Sequence, residues 1–105
     1  MAEKPAVKSA LYTIAIAGSG DPVPPDLPVG PGDKIRWRND LGKTITAFAL
    51  PSCVSPPTSP APIAPGKQTR SYTVKKGKLG RFHYAYVWDD VAKGTRSGVI
   101  DVGNM

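Results

Sequence analysis

Alternation of apolar and polar residues, the pattern of a half-buried strand, recurs along this chain. The clearest run is residues 34–38, in which Ile35 and Trp37 alternate with cations, so both apolar side chains are expected to face a core. Residues 9–17 and 43–50 are apolar, β-branched runs too short for ordinary helices. Further strands are predicted at 68–74, 82–87 and 98–102. The pattern indicates a chain of short β-strands.

Turn residues separate these runs. Gly30-Pro31-Gly32-Asp33 precedes the run at 34–38, and residues 39–42 turn the chain into the next run. The turn at 75–78 is expected to join 68–74 and 82–87 as a hairpin. Residues 51–65 contain six prolines and are predicted to form a partly extended surface loop, which serves either as a connector or as a binding loop.

Composition supports an all-β protein. The chain has 105 residues, enough for one domain spanning 1–105, and its 12 prolines and 11 glycines favour turns over helices. No apolar stretch is long enough to cross a membrane as a helix, so no transmembrane segment is expected. Residues 2–5 are similar to the start of a mature exported protein, which predicts an exported or periplasmic location and leaves a cytoplasmic one open.

The order of these pieces carries a family resemblance. A glycine–aspartate turn leads into an alternating strand that ends in Asn39, and a β-rich run begins at Lys43. Pro65-Gly66, a strand, a glycine turn, an aromatic run at 82–86 and a last strand within 94–102 complete the series. Together they resemble the cupredoxins, the small copper proteins that include plastocyanin, azurin and pseudoazurin. The resemblance implies a Greek-key β-sandwich of about seven or eight strands.

The copper-binding positions of that family hold other residue types in this chain. A blue-copper site needs a thiolate and two imidazoles, usually with a thioether. The resemblance places the following residues at the four positions: Lys43 or Thr44, Tyr86, Asp89 or Asp90, and Thr95. It therefore implies that the type 1 copper site is lost and that no cofactor is bound. A polar cluster of Lys43 with one of the two aspartates, supported by Tyr86, is predicted in its place. The alternative is a solvated Lys43 and a core Tyr86.

Cys53 and His83 are the single residues of their types and leave one other metal site to consider. Cys53 lies in the proline-rich loop, whereas His83 alternates with core aromatics and is expected to point outward. A copper-binding or electron-transfer protein with a displaced site is the alternative function. Cys53 also leaves two oligomeric states open, a monomer or a dimer linked through this thiol.

Charge suggests a partner, while no motif suggests catalysis. One cysteine, one histidine and no phosphate-binding loop provide no nucleophile with a base, so the chain is not predicted to be an enzyme. The net charge is +6, and the row Lys34, Arg36 and Arg38 predicts a face for an acidic protein or anionic surface, with a solvated surface as the alternative. No Lys/Arg run exceeds two residues, which disfavours specific nucleic-acid binding. The predicted function is a non-catalytic cupredoxin-like binding or accessory module.

Overall fold

The computed structural model describes residues 10–60, 62–88 and 96–103, and nine strands make up their regular structure. Two of these strands contain only two residues each, which accounts for the excess over the seven or eight that the sequence predicts. No helix of membrane-spanning length and hydrophobicity occurs in these three ranges. The strands are β1 (Leu11–Ile16), β2 (Pro22–Val23), β3 (Asp26–Val29), β4 (Lys34–Asn39), β5 (Ile45–Ala49), β6 (Val54–Ser55), β7 (Tyr72–Val74), β8 (Gly80–Trp88) and β9 (Arg96–Val102).

The strands form two sheets that pack into a sandwich. The five-stranded sheet has the order β2-β1-β4-β7-β6, and the four-stranded sheet has the order β3-β9-β8-β5. Two neighbouring pairs, β1 with β4 and β3 with β9, are parallel, and the other pairs are antiparallel. This arrangement confirms the all-β sandwich.

The core lies between the sheets and follows the period-two pattern. Ile35 and Trp37 on β4 are fully buried, while Tyr84 and Tyr86 on β8 face them from the other sheet. Trp37 and Tyr84 make a T-shaped ring contact with centroids 5.2 Å apart, so the aromatic rings of the two sheets interlock. His83 is exposed on the outer side of β8, as the alternation predicts.

The predicted hairpin between the runs at 68–74 and 82–87 is wrong. β7 pairs with β4 and β6, whereas β8 pairs with β5 and β9 in the other sheet. The segment 75–79 therefore carries the chain across the sandwich. Apolar positions of both strands face one core from opposite sides, and alternation alone does not distinguish this arrangement from direct pairing.

The proline-rich segment 51–65 is a surface loop only in part. Cys53, Val54 and Ile63 belong to the core, and β6 lies within the segment. Ile63 exchanges two backbone hydrogen bonds of 2.9 Å with Ile45. The loop is therefore anchored on both sheets and closes one edge of the sandwich, while residues 57–59 between its anchors are exposed.

Candidate functional site

One end of the sandwich, where β4 and β8 finish and β5 begins, is where the resemblance places the copper ligands. Asn39 organises this end from a fully buried position. Its amide nitrogen Nδ2 donates to the carbonyls of Lys43 at 2.7 Å and Ile63 at 2.8 Å, and its Oδ1 accepts from the Leu41 amide at 2.8 Å. These bonds fix the backbone at Lys43, whose side chain is exposed.

Tyr86 occupies the predicted thiolate position as a buried aromatic residue. Its hydroxyl donates a 2.7 Å hydrogen bond to the carbonyl of Gly20, and its ring stacks on Phe48 with centroids 5.7 Å apart. Burial raises the pKa of Tyr86 far above its ordinary value. The phenol is therefore neutral at physiological pH and bonds to the chain itself.

Trp88 packs beside Tyr86 and completes the closure of this end. Gly20 has a φ of +96°, and a side chain on it would collide with the Trp88 ring. The guanidinium carbon of Arg96 lies 5.6 Å from the centre of that ring, and Arg96 Nε donates to Asp21 at 3.2 Å. Gly20, Tyr86, Trp88 and Arg96 thus form a closed end, held together by aromatic packing and hydrogen bonds.

The residues described at the closed end do not fit a type 1 copper ion. A neutral buried phenol and an exposed lysine stand where soft thiolate and imidazole ligands are required. Across 10–60, 62–88 and 96–103, no three His, Cys, Asp or Glu side chains are grouped to hold a metal. Asp89, Asp90 and Thr95 lie outside the described residues, so the polar cluster around Lys43 stays a prediction.

Cys53 and His83 are separated from each other and from the closed end. The Cys53 carbonyl accepts a 2.7 Å hydrogen bond from the Lys75 amide, beside the start of β4 and so at the opposite end of the sandwich. His83 lies exposed on the outer face of the four-stranded sheet. Cys53 is fully buried, and burial raises the pKa of its thiol. The thiol has no access to a second chain, so the structure opposes the Cys53-linked dimer.

The predicted basic row is present on the outer face of β4. Arg36 Nε donates a 2.9 Å hydrogen bond to the hydroxyl of Thr13 on β1, which holds the guanidinium against the sheet. Arg38 forms an ion pair of 2.8 Å with Asp40, and this partner lowers the pKa of the Asp40 carboxyl. Lys34 is exposed. The three side chains share one face, and Asp40 partly neutralises the charge of one of them.

The described aspartates are engaged in ion pairs or hydrogen bonds. Each aspartate in the described ranges has partners: Asp21 pairs with Arg96, Asp26 and Asp101 with Arg81, Asp40 with Arg38, and Asp33 accepts backbone amides. Eight described cations have no acidic partner within the same ranges. They are Lys34, Arg36, Lys43, Lys67, Arg70, Lys75, Lys76 and Lys78.

Sequence reasoning missed an extension of the basic row toward the proline-rich loop. Gln68 forms a bridge with Arg38, which brings the segment before β7 alongside the row. Lys67 and Arg70 line an open groove of about 470 Å³ between this segment and Pro60. The sequence carried no signal for this extension, because the bridge joins segments that are distant along the chain. We define the basic face as Lys34, Arg36, Arg38, Lys67 and Arg70.

Similarity to known proteins is found at the level of three-dimensional structure. No family model and no curated protein matches the sequence. Solved structures do match. A purple cupredoxin from Nitrosopumilus maritimus has a TM-score of 0.62 and 17% identity, covering 88% of this chain and 99% of that one.

Amicyanin variants give similar values. An oxidised methionine-to-lysine variant matches with a TM-score of 0.65 and 16% identity over 92% of this chain and 86% of its own. An oxidised proline-to-alanine variant matches with a TM-score of 0.61 and 17% identity over 95% and 87%. The chain therefore has the cupredoxin fold, as its sequence resemblance implies.

Proposed function

We propose that this chain is a non-catalytic cupredoxin-fold binding module without a type 1 copper site, and that its basic face binds an acidic protein surface. The observation that carries the proposal is the segregation of charge. Described aspartates are engaged in ion pairs or backbone hydrogen bonds, whereas four members of the basic face, Lys34, Arg36, Lys67 and Arg70, have no acidic partner among the described residues. Complementary charge of this kind speeds association and selects partners.

Arg36 is the residue best suited to recognise a carboxylate. Its bond to Thr13 uses only Nε, and the guanidinium retains further N–H donors in a planar fork. Because Thr13 orients that fork, little side-chain freedom is lost when a carboxylate accepts two hydrogen bonds from it. Arg36 is therefore the expected centre of the binding face.

The experiment compares captures from cells that contain the natural partners, with the purified chain and two variants as bait. Arg36→Gln removes one cation from the basic face. Arg81→Gln is the matched control, since it removes the same charge from the opposite sheet, where Arg81 pairs with Asp26 and Asp101. Acidic proteins are expected to be retained by the original chain and by Arg81→Gln, and to be released from both by raised salt.

Loss of the same proteins from Arg36→Gln alone supports the proposal. If all three baits captured the same proteins, the basic face would be an ordinary solvated surface and the proposal would be wrong. Arg36→Lys adds a second criterion, because it keeps the charge but cannot present the planar fork. We expect it to bind more weakly than the original chain, and Arg81→Lys to bind equally well.

Export remains part of this proposal. A binding module that acts outside the cytoplasm would be found in the periplasmic or secreted fraction of its native cells. Fractionation followed by detection with an antibody tests this, and a purely cytoplasmic signal would contradict it.

A further inference from the structure

A second charged surface lies at the end of the sandwich opposite the closed end. β4 begins here and β7 ends here. Two backbone hydrogen bonds join them: the Val74 amide donates to the Asp33 carbonyl at 2.8 Å, and the Gly32 amide donates to the Val74 carbonyl at 2.9 Å. The crossing segment 75–79 follows at once and contains three lysines. Lys34 adds a fourth cation at the first position of β4. We define the basic end as Lys34, Lys75, Lys76 and Lys78 with Leu11 and Leu79.

Two leucines are exposed within this basic end. Leu79 is 51% exposed and follows Lys78, and Leu11 is 48% exposed and pairs in register with Lys34. The other exposed large apolar residue of the described chain, Val23, pairs with Ala15 near the far end of β1. A solitary exposed leucine needs no explanation, but here two exposed leucines lie at the same end of the sandwich as four lysines.

The described carboxylates nearest these lysines have other partners. Asp33 accepts the Gly30 amide at 2.8 Å and the Ala10 amide at 3.1 Å, so both of its oxygens bind backbone. Asp101 contacts Arg81 at 3.5 Å. Neither aspartate forms an ion pair with a lysine of the basic end among the described residues.

We infer that the basic end docks the protein on an anionic lipid bilayer. Lysines bind phosphate and carboxylate headgroups, and their attraction to such a surface adds up over the cluster. Leu79, which directly follows Lys78, and Leu11 would reach the apolar layer beneath the headgroups, which contributes burial of hydrophobic area. An acidic protein offers the same charges but no continuous apolar layer for both leucines. The inference is separate from the basic face, which shares only Lys34.

The test is co-sedimentation with phosphatidylcholine vesicles with and without phosphatidylserine, at low and physiological salt. The original chain is expected to sediment only with the phosphatidylserine vesicles. The triple variant Lys75→Gln, Lys76→Gln and Lys78→Gln should bind about a hundredfold more weakly, since each lysine contributes about fivefold. The matched control loses the same charge elsewhere, through Lys43→Gln, Lys67→Gln and Arg70→Gln, and should lose far less affinity.

Leu79→Ser separates docking from simple adsorption. It keeps every charge and is expected to weaken binding to phosphatidylserine vesicles several-fold, with an unchanged circular dichroism spectrum showing that the fold is intact. Full binding by this variant, equal losses in the two triple variants, or no binding by the original chain at low salt would each overturn the inference. Arg36→Gln should bind vesicles normally, so failure of the protein-binding proposal is recognised separately.

Discussion

The hydroxyl groups of the two buried tyrosines on β8 differ in their hydrogen bonding. Tyr86 donates to the buried Gly20 carbonyl at 2.7 Å. The Tyr84 hydroxyl and the Trp37 indole Nε1 are buried without a hydrogen-bond partner in the part of the chain that the structure describes. A buried polar group that loses its partner is costly, whereas one that never had a partner costs nothing to remove. The two positions therefore respond oppositely to the same substitution.

Tyr86→Phe is expected to lower the free energy of unfolding by about 1–3 kcal/mol, because it leaves the Gly20 carbonyl unsatisfied. Tyr84→Phe removes a hydroxyl without a partner and should leave stability unchanged or raise it. Urea denaturation of the three proteins measures both effects. Equal losses in the two variants would show that the Gly20 hydrogen bond has no special weight.

Alkaline pH provides a second prediction at the residue scale. Burial raises the pKa of Tyr84 to about 12, and the nearby Trp37 indole N–H opposes this rise, although it makes no hydrogen bond of acceptable geometry to the hydroxyl. The folded state therefore keeps the proton longer than the unfolded chain, whose tyrosines have a pKa near 10. Stability is complete below pH 10 and falls between about pH 10 and 12, by roughly 3 kcal/mol for this residue. The buried Tyr86 adds a loss in the same direction.

Urea denaturation at pH 8, 10 and 11 measures this loss. Tyr84→Phe is the control, because it removes one of the buried tyrosine titrations and should flatten the alkaline decline. A stability that stays constant to pH 11 would contradict the burial of these hydroxyls.

At the scale of elements, the loop between β1 and β2 is tied to the end of β8 through Gly20. Gly20→Ala places a side chain in the left-handed region at φ +96° and against the Trp88 ring. The backbone and packing penalties add, so we expect a loss of at least about 2 kcal/mol and a shift in tryptophan fluorescence. Gly18→Ala in the same loop has open space around it and should be nearly neutral. Similar stabilities of the two variants would contradict this coupling.

Strands with strict alternation were predictable from sequence because their side chains report burial directly. Ile35 and Trp37 identify β4 and its inner face without help from the rest of the chain. The partner of β7 was not predictable, since a short turn with Gly77 suits either a hairpin or a crossing between sheets. The pairing of Val74 with Val54, a contact between residues distant in sequence, places β7 in the five-stranded sheet.

The residues of the candidate sites were likewise predictable only in part. The resemblance placed Tyr86 at a ligand position, but its partner Gly20 lies 66 residues away and no local pattern connects them. Cys53 lies among prolines that suggest a surface loop, and its burial depends on the pairing of the adjacent Val54 with Val74 and on the hydrogen bond from the Lys75 amide to the Cys53 carbonyl. The exposure of Leu79 could not be predicted either, because an apolar residue after a turn is also typical of the start of a half-buried strand.

For the whole molecule, charge distribution distinguishes the two outer faces of the sandwich. The guanidinium of Arg81 on β8 forms ion pairs with Asp26 on β3 and Asp101 on β9, so these charges on the four-stranded sheet neutralise one another. Most of the described cations without an acidic partner lie on β4 of the five-stranded sheet or in the segment 75–79. We therefore expect this molecule of net charge +6 to turn that side toward anionic partners.

The final prediction concerns copper and the stability of the whole domain. Any ligand that binds only the folded state stabilises it, by about 2.7 kcal/mol at a hundred times its Kd, which raises the melting temperature of a domain this small by many degrees. The closed end holds a neutral phenol bonded to Gly20, and Cys53 is buried at the other end. We therefore expect added copper(II) to produce neither an intense visible band nor a higher melting temperature. His83→Gln is the control, because it removes the one exposed imidazole and any adventitious binding there. An intense band that persists in His83→Gln and disappears in Cys53→Ser would overturn the prediction and establish a displaced copper site.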